Sequence, residues 1–333
     1  MGLRRRQRER VVVSALSWAI FLTVSLVVLI SSLAHMAAAG PAGITHVASP
    51  QAVAGAASFS SGSPPGVTAK AAYVFDPDLG FVYYAKDADA ELPMASCTKV
   101  MTLLLAVERG KLDQVVTVGP DAAALVRSGS SYMGLSTGEK LSLRDLLYGL
   151  VLPSGNDAAI AIADAISGSV PKFVALMNER AKQLGLTRTH FVTPHGLDEP
   201  GHYTTARDLA VLSGVAMHNP EIVKITSVTH YSIPKTSTHK AYELQTGNDL
   251  LSGARSPYPG AIGVKPGFTG NAGYCQAFAA IRHGRMIVGV VLNEPSWQIR
   301  IVDMRNLLDW GFEQEGIPAA PPAVPWSHPS PNA

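Results

Sequence analysis

Hydrophobic positions fall into three regimes along the 333 residues. The first is unbroken: Val11 to Ala34 runs 24 residues without a charge, directly after Arg4, Arg5, Arg6, Arg8 and Arg10. At about 1.5 Å per residue, a helix of this length reaches roughly 36 Å, enough for a ~30 Å hydrocarbon layer. A retained membrane anchor and a cleaved signal peptide both fit. The run exceeds the roughly 7–15 apolar residues usual in a signal peptide, which favours the anchor, yet Ala37-Ala38-Ala39 suits a small-residue cleavage site. Either reading keeps the arginines inside and sends the rest outward, an extracytoplasmic placement. Residues 1–39 are therefore read as a basic start with an anchor or signal. Gly40 to Ala69 holds no Asp, Glu, Lys or Arg and reads as a flexible linker. In Ile317–Ala333, six of the 17 residues are proline, a tail poor in ladder donors.

Between them, about 70–316, the periodicity switches between strand and helix. Short β-prone runs at 71–75 and 81–85 flank Asp76-Pro77-Asp78-Leu79-Gly80, which predicts a hairpin. Helical spacing follows at 97–109, 142–151, 156–166 and 171–184, and Thr205-x-x-Asp208 predicts a capping box opening a helix to about Met217. Strand patterns return at 261–268, 274–281 and 286–292, the last two joined across His283-Gly284-Arg285, before a helix from about Ser296 to Phe312. Short turns between late strands require antiparallel pairing, so the class is α+β, in one domain.

Composition excludes several functions. With 47% hydrophobic and 16% charged residues the chain can bury a core. The formal charge is +2, but its basic excess sits in the first ten residues, so no electrostatic footprint for nucleic acid remains beyond them. Cys97 and Cys275 are the only cysteines, which excludes a cysteine-ligated zinc site, and they are read as buried free thiols. His195 and His202 match no metal spacing and are read as structuring their loop through hydrogen bonds; no metal is expected.

The candidate chemistry lies in three short segments. In Ser96-Cys97-Thr98-Lys99, residues three apart share a helix face, so Lys99 can stand beside the Ser96 hydroxyl as its base. A helix start also leaves the Ser96 N–H available to an oxyanion. By itself the pattern is weak, and an isolated match reads as a capping serine with a solvated lysine. Ser154-Gly155-Asn156 lies in a turn between two predicted helices, with Asn156 placed to cap the second. Gly263-Val264-Lys265-Pro266-Gly267-Phe268-Thr269 ends a β-run.

Together, Ser-x-x-Lys, Ser-x-Asn and Lys-x-Gly in this order resemble the serine penicillin-recognising enzymes. Leu92-Pro93-Met94-Ala95-Ser96, Gly129-Ser130-Ser131-Tyr132-Met133, Ser154 through Ala159, Gly196-Leu197-Asp198, Gly201 through Asp208 and Ala272-Gly273-Tyr274 narrow the resemblance to the D-alanyl-D-alanine carboxypeptidases, low-molecular-weight penicillin-binding proteins. It covers about 70–314. It implies a β-lactamase/penicillin-binding-protein-like fold, an antiparallel sheet flanked by helices with an inserted all-helical subdomain. It also implies a cofactor-free serine peptidase acting on peptidoglycan D-Ala-D-Ala stem peptides and acylated by β-lactam antibiotics. By resemblance Ser96 is the nucleophile, Lys99 the base, Ser154 a proton relay and Asn156 an orienting residue. Lys265, Gly267 and Thr269 would bind substrate, and the Phe268 N–H would complete the oxyanion hole.

One position departs from the pattern. The family has Thr or Ser where this chain has Pro266, which removes a hydroxyl expected to hold the substrate carboxylate; Thr269 is expected to cover part of that loss. The departure leaves open a weakened or non-catalytic wall-binding homologue. A β-lactamase of class A needs Glu-x-x-Leu-Asn for deacylation, and Glu179, Glu199, Glu221 and Glu243 have no such context.

Overall fold

The computed structural model describes residues 62–126 and 130–322. The predicted anchor, and the Arg cluster before it, lie outside the described residues. No single helix among the described residues is long and apolar enough to cross a membrane.

The centre is a five-stranded antiparallel sheet in the order β2-β1-β9-β8-β7, with β1 Ala71–Phe75, β2 Val82–Lys86, β7 Ala261–Thr269, β8 Gly273–Arg282 and β9 Arg285–Glu294. Alternation in β1 shows why the sheet is buried on both faces. Ala71, Tyr73 and Phe75 pack into one core, and Ala72 and Val74 into another. The second core is closed by a C-terminal helix, α8 (Trp297–Gln314), through Ile301, Met304, Leu308 and Phe312. The expected β1–β2 hairpin forms because Asp76 Oδ1 accepts from the N–H groups of Asp78 and Leu79 at 2.7 and 2.9 Å. Arg282 pairs with Arg285, so β8 and β9 turn over two residues, His283 and Gly284, at φ +50° and +77°.

Between β2 and β7 comes the insertion. It holds α1 (Lys99–Arg109), α2 (Pro120–Leu125), α3 (Leu143–Val151), α4 (Asn156–Ser167), α5 (Val170–Gln183), α6 (Ala206–Met217) and α7 (Pro220–Thr226). Two ribbons that the pattern did not reveal also form there: β3 (Val115–Thr117) with β4 (Lys140–Ser142), and β5 (His230–Ile233) with β6 (Tyr242–Gln245). Each strand spans only three or four residues, too short for alternation to register. In α4, residues 156–163 are all buried, which places the Asn156 end deep in the molecule.

Four local expectations are corrected. The helix read from residue 97 starts at Lys99; Ala95–Thr98 is a 3₁₀ turn instead, and it carries Ser96. The capping box is one-sided: Thr205 accepts from the Asp208 N–H at 3.0 Å, but the Asp208 carboxylate serves Arg188 N–H and Thr189 Oγ1. The linker and tail both reach into the packed part. Ala69 is buried and Thr68 N–H donates to Asp303 Oδ2, while Arg305 donates to the carbonyl of Pro321. Asn156 does not cap α4; Gly155 occupies the N-cap and Asn156 turns its side chain elsewhere.

Candidate active site

The nucleophile candidate is held by a strained turn. Ala95, immediately before Ser96, has φ +48°, a left-handed conformation costing about 1–3 kcal/mol for a residue with a Cβ. Thr98 Oγ1 offsets part of this by donating to Ala95 O at 2.8 Å. His202 fixes Thr98 in turn. Its Nδ1 accepts from Val192 N–H at 2.9 Å, so the ring proton sits on Nε2 and donates to Thr98 Oγ1 at 2.7 Å. Burial lowers the His202 pKa to about 4, which keeps that tautomer neutral. The expected structuring role of this histidine is what the bonds describe. Gly196 passes so close beneath that a Cβ would lie 2.0 Å from Ala95 O, and its φ of +89° also requires glycine.

Lys99 is 1% exposed, one turn into the molecule from Ser96. Its Nζ lies 3.0 Å from Ser96 Oγ, 2.7 Å from Asn156 Oδ1 and 2.7 Å from the His195 carbonyl. Burial first, and then the nearby cation Lys265, push its pKa well below the ordinary lysine value. His195, whose ring accepts from Leu197 N–H, is likewise held to about 3 by burial and by Lys99. Sequence reasoning did not anticipate its carbonyl as a lysine partner, because a backbone oxygen leaves no residue-type signal.

Ser154 sits in the α3–α4 turn at φ +63°, and its Oγ is buried with no hydrogen-bond partner among the described residues. Asp157 organises the opposite wall. Its two carboxylate oxygens accept from the N–H groups of Met133, Gly134, Leu135 and Ala158 at 2.8–2.9 Å. That clamp fixes the stretch carrying Ser131, whose carbonyl accepts from Asn156 N–H at 3.0 Å.

The third segment closes the cleft from the sheet edge. Among the described residues β7 has a strand neighbour only on its β8 side, where Pro266 is opposite Gln276, so the missing donor is tolerated. A Cβ on Gly267 would lie 2.9 Å from Ser96 N and 3.1 Å from Cys97 N. Glycine is therefore what lets the strand approach the turn. Lys265 is 2% exposed and burial lowers its pKa to about 8. Thr269 does not lean toward the Pro266 position: it donates to Asp198 Oδ1 at 2.8 Å and accepts from Ala272 N–H. The expected compensation is thus not available from this hydroxyl. Phe268 is 56% exposed at the rim.

Ser96, Ser131, Ser154, Lys265, Gly267 and Phe268 line one cleft of about 370 Å³, together with an unpredicted residue, Arg300. Arg300 comes from the first turns of α8, is 5% exposed, and contacts Asp249 Oδ2 at 3.3 Å. A cation near a helix N-terminus opposes the macrodipole, and that misplacement was the available signal. Cys97 and Cys275 are both buried and unpaired as expected, and Cys97 Sγ donates to Lys265 O at 3.3 Å. No group of three or more His, Cys, Asp or Glu suited to a metal occurs among the described residues.

An α+β fold with a half-buried serine within hydrogen-bond reach of a buried lysine, between a sheet edge and a helical insertion, has the arrangement of a serine-type peptidase site. The model of the D-alanyl-D-alanine carboxypeptidase family matches residues 58–296, and the chain belongs to that family of serine-type peptidases. It is 36% identical over 251 residues to D-alanyl-D-alanine carboxypeptidase DacF of Bacillus subtilis, covering 74% of this chain and 62% of that protein. It is 39% identical over 272 residues to DacD of Salmonella typhimurium, covering 79% and 67%. The crystal structure of the Streptomyces K15 DD-transpeptidase superposes with a TM-score of 0.71 at 34% identity, covering 76% of this chain and 100% of that one. The chain thus spans a little over three-fifths of the length of the Bacillus relative.

Proposed function

We propose that this protein is a D-Ala-D-Ala carboxypeptidase that removes the terminal D-alanine of peptidoglycan stem peptides through an acyl-enzyme. The observation that carries the reading is the surroundings of Lys99 Nζ. A neutral amine has two N–H donors and one lone pair. Asn156 Oδ1 and the His195 carbonyl, each at 2.7 Å, take the two donors, and the lone pair is left for the Ser96 hydroxyl at 3.0 Å. A lysine whose pKa is depressed by burial and by Lys265 suits a general base near neutral pH.

In this reading Lys99 takes the Ser96 proton as Oγ attacks the carbonyl between the two D-alanines. The N–H groups of Ser96 and Phe268 stabilise the oxyanion. Ser154, whose Oγ has no other partner, passes the proton to the leaving amine. Lys265 and Arg300 form a cationic end that attracts the terminal carboxylate, in place of the hydroxyl missing at Pro266. Water then hydrolyses the Ser96 ester. A β-lactam enters the same path, and its ester persists. The apolar run 11–34 supports placing this chemistry outside the cytoplasmic membrane.

Pro266 favours one second reading, a homologue that binds wall peptide without turnover. Intact-mass analysis after incubation with a penicillin separates the two. The enzyme reading predicts one adduct per chain, located on Ser96 and absent from Ser96→Ala. A wild-type protein that stays unmodified at millimolar penicillin would contradict it.

A further inference from the structure

Two acids meet where the N-terminal segment joins the sheet. Glu294 ends β9 and is 1% exposed; Asp303, in α8, is 4% exposed. Their carboxyl groups are hydrogen-bonded to each other, a contact that needs a proton on one of them. Neither oxygen of Glu294 has another partner in hydrogen-bond geometry among the described residues. Asp303 Oδ2 also accepts from Thr68 N–H, and Ala69, next in the chain, is fully buried in the core that α8 closes. The acid pair is thus one of the points that tie residues 67–69 to the domain.

The nearby cations are engaged elsewhere. Lys86 of β2 is the one whose charge reaches Glu294, and its Nζ donates to Val67 O at 2.8 Å. Arg300, about one turn before Asp303 in α8, contacts Asp249 and the Cys275 carbonyl. Tyr84 of β2 and Cys275 of β8 also feel the pair, and burial raises both, so they stay neutral near pH 7. Lys70 is exposed. Two carboxylates buried side by side without a bound cation cost far more than one carboxylate and one acid. Burial first, and then the Asp303 charge, raises the Glu294 pKa to about 8.

We infer that Glu294 and Asp303 share one proton, and that this proton latches residues 67–69 to the sheet, so that losing it loosens the joint by which the chain enters the domain. The joint is independent of the chemistry proposed for Ser96. With the segment away and the carboxyl in water, Glu294 titrates near its ordinary 4.5; latched, it titrates at about 8. Between those values the latched state holds one proton more than the open state. The latch is therefore at full strength below about pH 4.5, and the open fraction grows about tenfold per pH unit up to about 8. Freed, the three residues add at most about 10 Å of reach and uncover the part of the core that Ala69 fills.

Hydrogen exchange on the full chain tests the latch, read at the Thr68 and Ala69 amides and corrected for the intrinsic pH dependence of exchange. Between pH 5.5 and 7.5, wild-type protection at these amides is expected to fall about tenfold per pH unit, while amides inside β8 change less than threefold. Glu294→Gln carries no titrating proton there, so its slope at the same amides is expected to be below threefold per unit. If that variant does not fold, Asp303→Asn replaces it: its amide donates to Glu294 and keeps the carboxylate charged, which flattens the profile equally. A wild-type slope below threefold per pH unit overturns the inference. So does a slope above threefold in the folded variant, or an equal loss at β8, which would mean global unfolding rather than a local joint.

Discussion

Replacing Gly267 by alanine tests how the sheet edge and the nucleophile turn are fitted together. The added Cβ would lie 2.9 Å from Ser96 N, 3.1 Å from Cys97 N and 3.1 Å from Ala95 Cβ. Comfortable heavy-atom separations begin near 3.5 Å, so β7 and the turn must part by about 0.5 Å. Oxyanion donors work only when held about 2.7–3.1 Å from the developing charge, and in the proposed mechanism one of the two is Ser96 N–H, the group being pushed. Loss of one such donor costs about 2.7–4 kcal/mol of transition-state stabilisation, a factor of about 10²–10³. The fold pays much less, because β7 is an edge strand and can shift outward. The expected outcome is therefore a 10²–10³-fold lower acylation rate with labelled penicillin and a nearly unchanged circular dichroism melt. Acylation within threefold of wild type would refute the close-approach argument, and a collapsed melt would show that Gly267 serves stability instead.

Other consequences follow from the same geometry. Pro266→Thr restores one donor to a charged group, worth about 1.5–3 kcal/mol, and should lower KM for a D-Ala-D-Ala peptide at least tenfold, since Thr269 is engaged by Asp198; an unchanged KM would show that Lys265 and Arg300 already suffice. Lys265, depressed to about 8 by burial, is charged at pH 6.5 and mostly neutral at pH 9.5. KM for a peptide with a free carboxylate should rise across that interval and stay flat in Lys265→Arg; a flat wild-type profile would remove the lysine from carboxylate binding. The same depressed pKa means the folded state holds fewer protons than the unfolded chain between about pH 8 and 10.4, so this residue adds stability as pH rises through that window. The melting temperature of wild type minus that of Lys265→Met should increase there. Asp157→Asn turns an acceptor of four N–H groups into one that faces some of them with its own donor, and should cost about 2–4 kcal/mol on denaturant unfolding; a loss under 1 kcal/mol would contradict the clamp.

Much of the sheet and most of the longer helices were legible because their patterns are long: β8 and β9 each cover ten residues, and α8 eighteen. The ribbons β3–β4 and β5–β6, and the six-residue α2, were not, since windows of three to six residues carry no decisive period. Of the site, the side chains were legible and the backbone was not. Ser96, Lys99, Asn156 and Lys265 announce themselves by type and spacing, and the fold brings the first three within hydrogen-bond reach. The left-handed conformations of Ala95 and Ser154 carry no residue signature, since neither is a glycine or asparagine. The His195 carbonyl and the close passage of Gly196 under Ala95 are likewise invisible before the chain folds. Arg300 is 35 residues beyond Lys265 in sequence, and only the packing of α8 against β8 brings it to the cleft. Asn156 carries two readings in the sequence, a cap for the following helix and an orienting residue; the cap is not formed, because its oxygen accepts from the buried Lys99 Nζ at 2.7 Å.

The central claim is that Ser96 and a neutral, buried Lys99 together hydrolyse a D-Ala-D-Ala bond. Its most direct measurement is D-alanine release from a peptide ending in D-Ala-D-Ala, comparing wild type with Ser96→Ala and Lys99→Arg at equal folded concentration. The account predicts release by wild type alone, with both variants at least 10³-fold slower, because an arginine there stays protonated and cannot accept the serine proton. Equal release by all three, or none by a folded wild type, would contradict it.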